Sequence, residues 1–321
     1  STMIKLGRVK GNKMIDIHVT NKKLADRAVR ILMEELSIDY KTAANLLEKH
    51  KSVRNYKLDI NDIDKLNLNH VYACIHLASI ANDPMAEIDH GISWETSALG
   101  TKKLLECLVK YKVKKIIYAS SGSVYGIKKE KKVTENLSLI PISIYNKTKM
   151  IAERVILSYK EYINVMIVRP ATVCGISSRM RLDVSVNLLT TQALKNAKIQ
   201  VLGGKQIRPN IHIKDLSSLF IFLFENQKIK FGIFNAGFEN ISILNLAKKI
   251  QKKIKTKIII KKSNDNRSYR LDSSKIVKLG FKPKYDVNKA IDELIEYNNY
   301  GKLKNNLNCY NVKWMIKNNI K

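Results

Sequence analysis

The sequence predicts an α/β fold built on a doubly wound parallel sheet, and two patterns support this prediction. From Val71 onward, short apolar runs alternate with segments of helical periodicity, as in successive βαβ units. Several of the runs end in serine or proline, residues that are typical where a strand gives way to a loop. Because ligands of such sheets bind beyond the carboxyl ends of the strands, we expect the functional site there.

Three apolar runs are predicted to be buried strands, at 71–79, 113–121 and 164–170. Helical spacing predicts a helix over 94–109 between the first two strands and another, containing Tyr145, before the third. This order gives a sheet domain over 56–180.

Shorter strands are predicted farther along the chain, at 199–202, 210–213 and 232–235. Pro209 and Gly232 punctuate this region, and helical segments separate the strands. We assign these strands to a smaller substrate-binding lobe over 181–321, interleaved with the sheet domain.

The first 55 residues follow a different pattern. Apolar residues recur at helical spacing after Asn21, and Asp39 can cap a second helix. We therefore predict a helical segment over 1–55 rather than the start of a βαβ unit.

Composition argues against several protein classes. A chain of 321 residues with 45% hydrophobic content can bury one large core or two smaller ones. Its longest apolar stretches are shorter than the roughly 18 residues that span a bilayer, and residues 1–13 carry no signal-peptide hydrophobic region. We therefore expect a cytoplasmic protein that binds no membrane. The four cysteines lie far apart without zinc-site spacing, which argues against disulfides and a metal site.

The net charge of +30 raises the question of nucleic-acid binding. Lysines are spread over nearly every segment and aromatic residues make up only 7% of the chain, so no basic stripe interleaved with aromatics is present. We expect no nucleic-acid partner, although the positive field favours anionic substrates.

Tyr145 and Lys149 are four residues apart and would share one face of a helix. An ammonium beside a phenol stabilises the phenolate, which is the electrostatic requirement of a general base. Spacing alone does not decide between a catalytic pair and two residues on a solvated helix face, because the same pair recurs elsewhere. The other pairs are Tyr111 with Lys115, Tyr125 with Lys129, Tyr285 with Lys289 and Tyr300 with Lys304.

The surrounding motifs set this pair apart from the other four. The stretch YASSGSVYG, at 118–126, ends an apolar run with hydroxyls and glycines, and Tyr145 follows 24 residues after Ser121. Together with VRPATVCG, at 168–175, this order of motifs resembles the extended short-chain dehydrogenases/reductases, the family of NAD-dependent nucleotide-sugar epimerases and dehydratases. The resemblance covers about 56–314 and implies a Rossmann-like sheet, NAD as cofactor, a nucleotide sugar as substrate and a homodimer.

The resemblance also implies roles for individual residues. Tyr145 would exchange the proton of the reacting sugar hydroxyl, while hydride passes between the sugar carbon and NAD. Ser121 would hydrogen-bond the reacting oxygen, and Lys149 would hold the nicotinamide ribose and lower the pKa of Tyr145. Positions that would line NAD are Tyr145, Lys149, Asp59, Ile60, His76, Leu77, Ala78, Ser97, Ala119, Ser120, Pro170, Thr172 and Val173. Positions that would bind the substrate are Ser121, Ser123, Asn187, Arg208 and Arg267.

Some of these positions have simpler readings. Ser120 and Ser123 are residue types common in turns, His76 is compatible with a satisfied strand histidine, and Arg267 with a surface cation. The family's first strand and Gly-x-x-Gly-x-x-Gly turn, whose amides bind the cofactor pyrophosphate, have no counterpart in residues 1–55, which contain only Gly7 and Gly11.

Residues 1–53 instead resemble the carboxyl-terminal part of N-acetylmuramic acid 6-phosphate etherase, which contains none of that enzyme's catalytic parts. Ser97 also stands where the epimerase family usually has Asn. We interpret the chain as a fusion near Asn55 in which NAD binding is weakened and the sheet edge beside 71–78 is exposed or re-covered. Two hypotheses follow: an NAD-dependent nucleotide-sugar epimerase or dehydratase, or a non-catalytic remnant that binds sugar nucleotides.

Overall fold

The computed structural model describes residues 16–18, 29, 39–41, 44, 52–54, 59–69, 71–263 and 268–318. Strands β1 to β11 span Asp16–His18, Ser52–Arg54, Ala73–His76, Lys115–Ala119, Asn164–Pro170, Thr172–Cys174, Lys198–Leu202, Ile207–His212, Phe231–Ala236, Glu239–Ser242 and Lys257–Lys261. Helices α1 to α10 span Asp83–Ala86, His90–Trp94, Gly100–Lys110, Ile144–Ser158, Ser185–Asn196, Ile213–Glu225, Ile243–Gln251, Ser274–Lys278, Val287–Asn299 and Asn311–Lys317. A π-helical turn spans Glu95–Leu99, and 3-10 helices span Ile60–Lys65, Gly122–Tyr125 and Leu307–Cys309.

The main sheet has four parallel strands in the order β3-β4-β5-β9. Its register aligns His76 with Tyr118, Tyr118 with Ile167, and Ile167 with Ile233. Helices α3 and α4 cover one face, where Leu104 packs with Ile116, and α6 covers the other. The three predicted strands and the doubly wound α/β class are therefore confirmed.

The assignment of 232–235 to the smaller lobe is wrong, because β9 pairs with β5 in the main sheet. The cause lies in α6, the apolar helix that precedes β9. Leu219 and Leu223 of α6 pack on the main sheet, so the helix forms the crossover that returns the chain parallel to β5.

The second lobe contains two small sheets. Strands β10, β8 and β6 form one, and β7 pairs in parallel with β11 in the other. Helices α5, α7 and α9 enclose a separate apolar core with these strands, which includes Val186, Ile199, Leu246 and Ile291. The strands predicted near 199–202 and 210–213 are confirmed as β7 and β8.

At the amino-terminal end, β1 and β2 pair antiparallel, with Asp16 opposite Arg54, a small sheet that the sequence analysis did not predict. Val29, Tyr40, Lys41 and Ala44 are helical, but most of both predicted helices lies outside the described residues. Among the described strands β3 pairs only with β4, so the other edge of β3 has no partner in the described part of the chain.

Lys115 on β4 shows how one of the other Tyr–Lys pairs is used structurally. Its side chain is 1% exposed, and its Nζ donates to the carbonyls of Leu223, Phe224 and Asn226 at distances of 3.0, 2.9 and 3.2 Å. These carbonyls lie at the carboxyl end of α6, where a cation is favoured by the unpaired carbonyls and the helix dipole. Lys115 therefore ties α6 to the sheet, and burial lowers the pKa of its ammonium.

We expect Lys115→Met to lower the free energy of unfolding by about 1–3 kcal/mol, because it leaves buried carbonyls without a donor. Urea unfolding followed by circular dichroism measures the change. The neighbouring Lys114 is exposed, so Lys114→Met is the matched control and should leave stability unchanged. Equal stability of the two variants would contradict the capping role.

Candidate active site

The sequence-predicted catalytic residues meet at the carboxyl ends of β3 and β4. Helix α4 begins at the N-cap Ser143, whose Oγ accepts a hydrogen bond from the Asn146 amide and donates to Asp83. From this fixed start, the helical repeat places Tyr145, Lys149 and Glu153 on one face in successive turns.

Tyr145 lies partly buried in the first turn of α4. Burial raises the pKa of its phenol, and the hydrogen bond with Ser121 and the charge of Arg181 act in the opposite direction. Asp83 adds to the effect of burial. Neither Arg181 nor Asp83 carries a sequence signal for this role, because Arg181 lies in a loop, Asp83 begins α1, and no motif links either residue to Tyr145.

Ser121 belongs to a short chain of polar side chains. Its Oγ lies 2.7 Å from Ser123 Oγ, and Ser123 Oγ donates to Asn146 Oδ1. Asn146 is 1% exposed and follows Tyr145 directly in α4. The buried amide thus holds both serine hydroxyls beside the helix that carries Tyr145, a role that no sequence motif indicated.

Gly126, at the end of this serine turn, is required by the packing of the backbone. Gly126 has φ 68°, and an added Cβ would lie 2.0 Å from the carbonyl oxygen of Ile140. Only glycine fits this close approach, which fixes the end of the turn.

Lys149 is 3% exposed, and its Nζ donates to the Ala119 carbonyl at 2.7 Å. The same nitrogen lies 4.9 Å from the ring centre of Tyr118 and 6.0 Å from that of Tyr145. Burial lowers the pKa of Lys149 to about 7, and Glu153 partly opposes this effect. Two of its three N–H groups have no acceptor among the described residues, so the ammonium can still donate to two hydroxyls of a ligand.

His76, at the end of β3, is fully buried. Its Nε2 lies 2.8 Å from Thr101 Oγ1, and its ring packs against that of Tyr118 with centres 5.1 Å apart. Burial, followed by the charge of Lys149, lowers the pKa of His76 to about 3, so the imidazole is neutral at physiological pH. His76 Nδ1 and the Tyr118 hydroxyl are buried without a partner in the described part of the chain.

Ser97 lies in the π-helical turn before α3 and is 1% exposed. Its Oγ lies 3.1 Å from Ser79 Oγ and accepts from the Ile80 amide at 3.2 Å. Ser97 therefore holds the loop that follows β3. In that loop Leu77 is 40% exposed while Ala78 is 2% exposed, so of these two predicted cofactor contacts Leu77 is the accessible one.

Among the remaining cofactor candidates, Asp59, Ile60 and Ser120 have structural partners. Asp59 caps a 3-10 helix by accepting from the Asn61 amide at 2.8 Å, and Ile60 is buried against Gly100. Ser120 donates its hydroxyl to Glu153, 33 residues farther along the chain. Pro170 ends β5, and Thr172 and Val173 lie in β6, all three partly buried.

The predicted substrate contacts are not all brought to this group. Asn187 is 2% exposed and engages only loop backbone, accepting from the Gly175 amide and donating to the carbonyls of Gly175 and Arg181. Arg208 lies on β8 in the second lobe. Arg267 lies outside the described residues.

Neither a metal-binding cluster nor a membrane-spanning helix is found among the described residues. No group of three or more metal-ligating side chains occurs among the described residues. No helix in the described ranges is long and apolar enough to cross a membrane.

Residues 22–237 match the NAD dependent epimerase/dehydratase family, and the chain belongs to this family. The match begins at residue 22, earlier than the position near 56 that the motifs indicated. The chain is 27% identical over 300 residues to a putative UDP-glucose 4-epimerase of Methanocaldococcus jannaschii, which covers 89% of this chain and 96% of that protein.

A solved structure and a second relative extend this comparison. The fold is similar to that of the UDP-glucuronic acid 4-epimerase from Bacillus cereus in complex with UDP-glucuronic acid and NAD, with a TM-score of 0.70 and 26% identity over 81% of this chain and 86% of that chain. A segment of 54 residues is 57% identical to the N-acetylmuramic acid 6-phosphate etherase of Christiangramia forsetii, and covers 17% of this chain and 20% of that enzyme. Both resemblances inferred from the sequence are thus confirmed.

We expect Lys149→Met to stabilise the fold near neutral pH. Below about pH 7 Lys149 is charged in both states and its burial opposes folding. Between about pH 7 and 10.5 the unfolded chain binds a proton that the folded chain does not, so the stability of the wild type rises with pH. The stabilisation by Lys149→Met should therefore be about 2–4 kcal/mol larger near neutral pH than at pH about 10.

Urea unfolding at a series of pH values measures this difference. Lys147 is exposed on the same helix, so Lys147→Met is the control and should change stability little. A stabilisation by Lys149→Met that is constant across this range would show that the buried ammonium keeps its ordinary pKa.

Proposed function

We propose that the chain is an NAD-dependent nucleotide-sugar 4-epimerase that acts on a UDP-hexose. The observation that carries this proposal is the convergence of Ser121, Tyr145 and Lys149 at the strand ends of a parallel sheet. The names of the relatives support it, since one is a putative UDP-glucose 4-epimerase and the other a UDP-glucuronic acid 4-epimerase in complex with NAD.

Tyr145 is the proton-transfer group. As phenolate it removes the proton of the sugar hydroxyl, and as phenol it returns that proton after the sugar has turned in the site. Burial opposes the charged form of both Tyr145 and Lys149, so each charge becomes favourable in the presence of the other. Lys149 Nζ lies 6.0 Å from the ring centre of Tyr145. Two unit charges at roughly this separation attract by about 3 kcal/mol at an effective dielectric of about 20, which corresponds to about two pKa units.

Lys149 also provides the contact to the cofactor. Its two N–H groups that lack an acceptor among the described residues fit the two hydroxyls of a ribose, while its bond to the Ala119 carbonyl fixes the amine against β4. When bound, NAD accepts and returns the hydride of the sugar carbon. Ser121 holds the reacting oxygen, and the neutral His76 keeps the wall beside Lys149 uncharged.

For the rest of the chain we propose three parts. Residues 1–55 form the etherase-like segment, 56–180 together with β9 form the NAD-binding part, and the remainder of 181–321 forms the substrate lobe. Arg208 and Arg267 are proposed to bind the diphosphate, for which the guanidinium fork is suited. Asn187 instead holds the loop over 175–181 through hydrogen bonds to the backbone of Gly175 and Arg181.

The second candidate is a non-catalytic remnant that binds sugar nucleotides. Residues 1–55, with glycines only at Gly7 and Gly11, favour it, because they contain no glycine-rich turn for a pyrophosphate. The two candidates differ in one observable property. Only the epimerase reduces bound nicotinamide when a nucleotide sugar is added.

We expect Tyr145→Phe to lower the rate of interconversion of UDP-glucose and UDP-galactose by about 10²–10⁴-fold at saturating NAD, because it removes the proton-transfer group. A coupled assay for one of the two sugars measures the rate. Tyr111→Phe is the matched control: Tyr111 is the C-cap of α3, four residues before Lys115, and its substitution should leave the rate unchanged. Wild-type turnover in the Tyr145→Phe variant would remove Tyr145 from the mechanism.

A further inference from the structure

Glu153 is a buried carboxylate that the proposed mechanism does not use. It lies one turn after Lys149 in α4 and is 1% exposed. Its Oε1 accepts from Arg169 Nε at 2.9 Å and from the Ser120 hydroxyl, and its Oε2 accepts from Arg169 Nη2 at 2.6 Å. Three donors thus hold this side chain in one orientation.

The partners of Glu153 reach across the ends of three adjacent strands. Ser120 follows β4, and Arg169 lies in β5. Arg169 Nη1 donates to the Tyr125 hydroxyl at 2.7 Å, which in turn donates to Asn235 Oδ1 on β9 at 2.8 Å. The network therefore joins the middle of α4 to the edge of the sheet where Tyr145 and Lys149 lie.

Stability alone does not explain a charged pair at this position. Burying two ions carries a desolvation cost that their attraction only partly recovers, and an apolar pair of similar volume commonly gives equal or greater stability. What the pair supplies in addition is a carboxylate one turn from Lys149 on the same face of α4. It also supplies an acceptor for Ser120, whose neighbour Ala119 accepts from Lys149.

Several polar groups surround Lys149. His76 faces it from β3, Tyr118 from β4, and Tyr145 and Glu153 from its own helix, while Arg169 of β5 pairs with Glu153. Of these groups Glu153 is the only carboxylate, and it opposes the lowering of the Lys149 pKa by burial.

We propose that Glu153 is a positioning residue for Lys149: its carboxylate, held by Arg169 and Ser120 one helical turn away on the same face of α4, keeps the ammonium charged. This inference rests on the proposed function for its catalytic consequence. Its electrostatic part concerns Lys149 itself and can be measured without turnover.

The test is Glu153→Gln, with Lys149 observed by NMR in protein carrying ¹³C-labelled lysine. Lys149→Arg identifies the Lys149 signal by its loss. We expect the pKa of Lys149 to fall by about one unit or more in Glu153→Gln, because the substitution removes the nearby negative charge and leaves that of Arg169. Glu161, 79% exposed on its side chain, gives the control Glu161→Gln, which should leave the Lys149 titration unchanged.

The rate of sugar interconversion as a function of pH is the second readout. Turnover should decline at alkaline pH as Lys149 loses its proton, and in Glu153→Gln this decline should begin at a lower pH. The variant therefore loses most activity at alkaline pH and recovers activity as the pH is lowered. A loss of the same factor at every pH would instead indicate a structural role and overturn the proposal.

Glu153→Gln leaves Arg169 buried without its partner and can fail to fold. The double variant Glu153→Gln with Arg169→Met removes both charges and serves as the second test. A folded variant of either kind in which Lys149 titrates as in the wild type overturns the proposal. If the wild type converts no nucleotide sugar, the proposed function fails, and the NMR titration still decides whether Glu153 controls the charge of Lys149.

Discussion

The ion pair between Glu153 and Arg169 is the interaction on which the rest of the candidate active site depends. It fixes a helix to the ends of strands that come from distant parts of the chain, and the hydrogen bonds through Tyr125 and Asn235 extend this attachment to the fourth strand of the main sheet. Because the pair is buried, solvent and salt screen its attraction only weakly. The positions of Tyr145 and Lys149 follow from this anchor together with the cap at the start of the helix.

The candidate site combines burial with charge, which explains why its residues are sensitive to one another. An ammonium taken out of water loses its proton more readily, and a phenol taken out of water holds its proton more tightly. In each case a neighbour of opposite charge limits the effect. The pKa of Lys149 is about 7, so its charge can respond to a bound ligand near neutral pH. The burial that lowers this pKa also reduces the stability of the fold. Neutral His76 and the ring of Tyr118 complete the wall without adding a competing charge.

Much of the fold was accessible from the sequence, because buried parallel strands leave uninterrupted apolar runs and their ends carry recognisable turn residues. The order of motifs also singled out Ser121, Tyr145 and Lys149, which the structure brings together at the strand ends. The place of β9 was missed, since pairing between strands distant in sequence is set by the crossover helix rather than by the strand itself. Asn187 was assigned to the substrate, although its amide is committed to loop backbone, and a sequence does not reveal such contacts. Glu153 did carry a signal, since it continues the four-residue spacing of Tyr145 and Lys149.

The central claim is that this chain keeps the residues of an NAD-dependent catalytic site but binds NAD weakly, because residues 1–55 contain no glycine-rich turn. Calorimetric titration with NAD tests it most directly, using the chain as it is and a chimera in which a Gly-x-x-Gly-x-x-Gly βαβ unit replaces residues 1–55. Losing several charge-assisted hydrogen bonds at about 1.5–3 kcal/mol each weakens binding by orders of magnitude. The account predicts weak binding by the unmodified chain and tight binding by the chimera. Submicromolar binding by the unmodified chain, or none by a folded chimera, would contradict it.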